Sequence, residues 1–448
     1  MLCSVILLIN FTGCQKKNCD ILLTAVSQLD TAQHTEQLHE YDSPYTICYK
    51  NKDNTYSLYI FASPIQYKIN DGKYAIIDNT VVKSEKEGFA YANKANEIKT
   101  YFPETLDKYF RVEKGDIFQE FKPSIECKGF SKAECIIFTN MYGDKVSAVR
   151  YRREDMDMVF YPTKSGIKVE IVLKKEPADK KFGFSLKTKA SLFKNLQNGY
   201  ILFKNGGENE SIIYQPLVQY TTDSGQQLDI TTQMNIEKKE GDYYVEMIIN
   251  DAIFKNAKYP VKFDPSFELY LNKMPDTSVY SKFGINSYLK HYAVIGDHPT
   301  LGEGYHFARL RLNYFMTLQS ENIKSAIYFI KPLWNNLNSY AYKAYESAEQ
   351  WSSTKILWES KSQSGDVIAQ RAMISEGNLQ LPMDEYVKAC FEDYSWEKES
   401  VGFLIKIEKE NAYSILATSD NSLYPPFLKI DLKALPCYFE AKEDINQG

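Results

Sequence analysis

Two arginines two residues apart, a set of tryptophans and a small group of histidines are the side chains of this chain best suited to chemistry. Arg309 and Arg311 lie in His306–Tyr314, where Ala308, Leu310 and Leu312 alternate with them. A strand places alternate residues on opposite faces, so both guanidinium groups share one face and could grip a carboxylate through paired hydrogen bonds. Pairing with acidic residues of a neighbouring strand is the other reading, and both stay open. Trp334, Trp351, Trp358 and Trp396 offer flat surfaces for sugar stacking, although tryptophan in a β-sandwich more often fills the core. His291, His298 and His306, with Asp297, fall in one turn-rich stretch. Asp297, His298 and His306 are the weak metal candidates, set against the plainer reading of a solvated loop. No HExxH, GxSxG, P-loop or glycine-rich dinucleotide motif occurs, and no catalytic residue or cofactor is assigned.

The elements that must position these groups read as strands. The chain has 448 residues, 34 of them tyrosine, and aromatic residues make up 14%. Aromatic residues favour pleated, half-buried surfaces, so the enrichment points to an all-β protein. A formal charge of −5 argues against a nucleic-acid partner. Eight cysteines show no zinc spacing. Cys127 and Cys135 either close a hairpin disulfide or are isolated buried thiols.

Tyr259-Pro260-Val261-Lys262-Phe263-Asp264-Pro265-Ser266 is read as a short strand ending at Pro265. Its two prolines argue against the middle of a sheet. It is taken as the joint between two β-rich units, an antiparallel sandwich over 45–265 and a second unit over 266–435. Whether the first unit divides near Cys127 is left open. Asn70-Asp71-Gly72-Lys73 marks a hairpin, and Gly166–Leu173 alternates strictly. One helix is expected from Asp384, acting as N-cap, through Tyr394.

Residues 1–14 combine an apolar run, Val5–Ile9, with Phe11-Thr12-Gly13-Cys14. The run is too short to span a bilayer and has the size of a signal-peptide core. The ending resembles a bacterial lipobox, which would make Cys14 the lipidated residue. Residues 15–44 then read as a polar tether, and 436–448 as a tail.

The joint resembles the YPV-x-x-DP-[TS] segment of bacterial surface proteins that carry a DNRLRE domain, as found at the amino-terminal side of wall-associated Rhs/YD-repeat proteins. The likeness runs from about Tyr45 to Leu432. It includes Asp71-Gly72-Lys73 with Asp78-Asn79-Thr80, the Gly166–Leu173 strand, Asp276-Thr277-Ser278-Val279, the Arg309 strand, Ile323–Phe329 and the Trp351 and Trp358 region. Tyr74 stands where the family has Trp. The resemblance implies a carbohydrate-binding-module-like jelly roll for the second unit and a non-catalytic, lipid-anchored protein on the extracellular face of the bacterial envelope. Its partner would be polysaccharide or cell-wall glycan, held near Arg309, Arg311, Trp351 and Trp358. The alternatives are a structural or adhesive protein without sugar specificity, and a β-sandwich enzyme that degrades polysaccharide.

Overall fold

The computed structural model describes residues 25–435 apart from 70–71, 142, 178–179, 196–199, 206–207, 215, 223–226, 270–275, 287–291, 300, 311, 313–317, 336–341, 348–357, 360, 362–363, 370–372, 376, 393–400, 420 and 422. Cys14, His291, Arg311, Trp351, Tyr394 and Trp396 lie outside the described residues. Within them the fold is all-β, with antiparallel sheets of 7, 8, 11 and 9 strands and one two-stranded hairpin. Two sandwiches result, each with its own core.

The first sandwich pairs the 8-stranded sheet with the 11-stranded one. Its core uses aromatic residues from both. Phe110 stacks on Phe160 at 4.0 Å between ring centres, and Phe121 on Phe267 at 3.9 Å. The aromatic enrichment is thus spent largely on packing, which adds to plain area burial when rings stack with an offset. Gly166–Leu173 is buried on both faces: Ile167, Val169 and Ile171 enter the core while Lys168 and Glu170 point the other way. A Cβ on Gly166 would stand 2.1 Å from the Phe267 carbonyl oxygen, so this close strand approach needs glycine.

The proline-bounded segment is interior, contrary to the reading from sequence. Ala257–Phe263 lies between Gly166–Leu173 and Leu217–Thr222, and Ser266–Leu269 lies between Gly166–Leu173 and Glu208–Tyr214. The prolines are accommodated by where the ladders stop. Pro260 falls at a register shift against Leu217–Thr222 and one residue beyond the last pair with Gly166–Leu173, Leu173↔Val261. Pro265 occupies the gap between the two strands, and its carbonyl accepts the Val169 N–H at 2.9 Å. A proline without a donor costs nothing where no ladder bond was due.

The second sandwich faces the 7-stranded sheet against the 9-stranded one. Its membership corrects the sequence-based boundary. Thr46–Asn51 and Tyr56–Phe61, expected in the first unit, belong to this sheet, with Tyr56–Phe61 paired to Phe427–Leu432 from Tyr56↔Leu432 to Phe61↔Phe427. His34–Gln37, expected in a tether, adds an edge strand, and Ala25 and Leu29 pack on Tyr59, Phe61 and Phe427. The aromatic outer face of this sheet needs a cover, which the amino-terminal segment supplies.

Local expectations fare better. Gln66–Lys68 and Tyr74–Ile76 form the hairpin, with Lys68↔Tyr74 in register. The helix spans Asp384–Glu392 and buries Val387, Cys390 and Phe391. Asp384 opens it, yet its carboxylate accepts the Ala326 N–H at 2.7 Å, tying helix to sheet. A short helix, Asp251–Asn256, was not expected; Asn250 caps it through the Ala252 N–H. Cys127 and Cys135 are free thiols, so no disulfide joins them.

The sandwiches meet through the outer side of the 11-stranded sheet. Lys164 donates to Ser63 Oγ at 2.7 Å and to the Asn421 carbonyl at 3.4 Å, and Leu423 packs on Val146, Ala148, Val159 and Tyr161. Behind this contact Lys168 and Asp264 form an ion pair at 2.8 Å, with both side chains at most 5% exposed. The Asp of the DP joint and the Lys of the alternating strand are therefore partners in one buried network.

Candidate ligand-binding face

The outward face of the 9-stranded sheet gathers aromatic and cationic side chains from three adjacent strands and one loop. In Gly302–Leu310, Ala308 enters the core between the sheets, and Tyr305 and Phe307 join a small cluster on the other side with Val279, Leu404 and Tyr345. Arg309, half-buried, continues this outward row, in register with Gly402. The period of two decides the face, as strand geometry requires. Trp358, between Tyr342–Ser347 and Ser364–Ala369, packs on Tyr305 with ring centres 4.9 Å apart.

Two ammonium groups converge there. Lys361 Nζ lies 3.9 Å from the Trp358 ring centre and 5.8 Å from that of Tyr305. Lys406 Nζ lies 4.4 Å from Tyr305 and 5.0 Å from Tyr345. Lys361 donates to the Trp358 carbonyl at 3.1 Å, and Lys406 bonds Ser364 Oγ. Among the described residues neither ammonium is in an ion pair. Burial, helped by the Lys361 charge, lowers the Lys406 pKa despite Glu303. Burial and its 2.7 Å hydrogen bond to Glu303 raise that of the Tyr305 phenol. The arrangement can hold a carboxylate or sulfate by charge-assisted hydrogen bonds over an aromatic floor.

The histidine candidates are separated. Asp297 is exposed. His298 Nδ1 accepts the Leu301 N–H at 3.2 Å, and its ring meets Tyr413 edge-on. His306 is fully buried among other partners. Its Nδ1 lies 3.1 Å from Ser278 Oγ and its Nε2 3.6 Å from Asp276 Oδ2. Among the described residues no three His, Cys, Asp or Glu side chains are placed to hold a metal ion.

Serine, histidine and aspartate thus fall in the order of a hydrolytic triad, which residue spacing did not reveal. All three are at most 5% exposed, and both Asp276 oxygens accept from Ser419, N–H and O–H, at 2.7 Å. A nucleophile needs a substrate within reach. The cluster instead fixes the turn after Tyr413–Ala417 to the strand Thr277–Tyr280.

Trp334 is 41% exposed and stacks on Tyr413 at 4.6 Å, apart from the lysine-bearing face. Sequence reasoning had singled out Trp358 but missed Tyr305, Tyr345, Lys361 and Lys406. Strand alternation could have placed Tyr305 beside Arg309; the lysines carry no sequence signal.

No protein-family model matches the chain, and no curated protein sequence does. Among solved structures it is similar, at 8% identity and a TM-score of 0.14 over 85% of each chain, to the N-terminal domain of a Streptococcus gordonii adhesin. An exo-β-1,3-galactanase from Phanerochaete chrysosporium gives 8% identity and a TM-score of 0.13, covering 92% of this chain and 99% of that one. A Paenibacillus xanthan lyase gives 6% and 0.12, covering 87% and 53%. Likeness this slight carries no argument about fold or function.

Proposed function

We propose that the chain is a non-catalytic surface protein of the DNRLRE-bearing kind, anchored by a lipid on Cys14, whose second sandwich binds an acidic polysaccharide of the cell envelope. The observation that carries the binding is the convergence of Lys361 and Lys406 on Tyr305 beside Trp358, with neither in an ion pair among the described residues. Two cations at an aromatic surface favour a ligand that brings both negative charge and a sugar ring. The test is calorimetric titration of the full chain with a short oligogalacturonide and a neutral oligosaccharide of equal length. The acidic sugar should bind, and Trp358→Ala with Lys361→Gln should weaken it by about 1–3 kcal/mol, the range for charge-assisted contacts and stacking. Equal binding by the double variant would overturn the assignment. A structural or adhesive role is the second reading, favoured by the buried polar contact that ties the two sandwiches together through Lys164, Ser63 and Asn421.

A further inference from the structure

The first sandwich carries a cationic face of its own. On the outward side of the 8-stranded sheet, Lys122 Nζ lies 5.1 Å and Lys187 Nζ 4.3 Å from the ring centre of Tyr109. The Tyr109 hydroxyl donates to Asp242 at 3.4 Å. Next to them Phe118 is flanked by the Arg111 guanidinium at 4.4 Å and Lys189 Nζ at 5.4 Å. The acidic residues next to these rings have partners of their own. Glu113 is held by Lys86 and Arg111, and Glu120 by Arg111. Lys122, Lys187 and Lys189 are in no ion pair among the described residues.

We infer that this face is a second binding surface, for a linear polyanionic glycan, in which Lys122, Lys187 and Lys189 contact successive carboxylates or sulfates. Three features narrow the occupant. Ammonium groups in no ion pair among the described residues ask for negative charge. Ile117–Pro123 and Phe182–Thr188 are interior strands, paired on both sides. An acidic peptide therefore finds no free strand edge here to extend, and recognition must run through side chains. Tyr109 and Phe118 are each approached by two cations, so the surface leads with charge. Gly183 permits this layout on its flank: a Cβ there would stand 2.6 Å from the Tyr244 hydroxyl, which the bare glycine lets lie flat across the sheet.

Gel-retardation affinity electrophoresis with long polygalacturonate tests the inference in full-length chain already carrying Trp358→Ala and Lys361→Gln. In that background, loss of binding through the other sandwich cannot be mistaken for loss here. Retardation by polygalacturonate and not by dextran is expected, falling at least tenfold with Lys122→Gln/Lys187→Gln and weakening with added salt. Lys122→Arg/Lys187→Arg should keep it. Lys187→Gln alone, at an exposed position, should show a partial loss without a change in melting temperature. Undiminished retardation of the Gln double variant, equal retardation by dextran, or tighter binding of single-stranded polyadenylate than of polygalacturonate would overturn the inference.

Discussion

The two outward faces of the first sandwich use the same residue types to opposite ends. On the 11-stranded sheet, Lys168, Glu170, Asp264 and Lys164 are buried beneath the second sandwich and committed to partners. On the 8-stranded sheet, Lys122, Lys187 and Lys189 sit over aromatic rings and are in no ion pair among the described residues. Removing a charge from water is costly unless a partner and hydrogen bonds repay it. Hence the covered face had to pair its charges, and the open face did not. A lysine on a strand is structural or available according to what packs above it.

The largest effect should come from breaking a covered pair. Asp264→Ala takes away the ion-pair partner of the buried Lys168 ammonium and should cost about 3–5 kcal/mol in urea unfolding. Lys122→Ala should change stability by less than about 0.5 kcal/mol. Comparable losses for the two would erase the distinction between the faces.

Acid and base dependence sharpens it further. Burial pushes the Glu170 pKa up to about 7, against the pull of Lys262 at 3.5 Å. A carboxyl raised on folding stabilises below its unfolded value, and that contribution is lost as pH rises from about 4.5 through 7, a change of about 3 kcal/mol. Glu170→Gln should remove this decline, read as melting temperature against pH. A wild-type decline that persists in the variant would place the titration elsewhere.

In the second sandwich burial has the reverse sense for His306, lowering it to about 4. The unfolded chain takes up the proton first, so stability should rise from pH 4 to 6.5, by up to about 3 kcal/mol. Part of this is offset by Glu170 in wild type, so the net slope should be the smallest of these effects. Measured in Glu170→Gln it should emerge whole, and His306→Gln in that background should flatten it.

Much of the fold was legible. Alternation in Gly166–Leu173 and around Ala308, the turn at Gly72 and the helical spacing of Val387, Cys390 and Phe391 each reflect a local period, which a residue's own neighbours determine. The all-β class followed from the aromatic enrichment and the strand alternation. Of the candidate site, Trp358 and the face bearing Arg309 could be named from sequence. Tertiary structure decided what sits beside what. It placed Tyr56–Phe61 next to Phe427–Leu432 across the length of the chain, and put Pro260 inside a sheet at a point where two ladders lapse. It also turned His306 from candidate chemistry into buried framework. Strand pairing is non-local, and an alternating strand fits many partners equally well until the cores close. Whether a charged side chain is covered depends on surfaces contributed by residues hundreds of positions away, which no local pattern encodes.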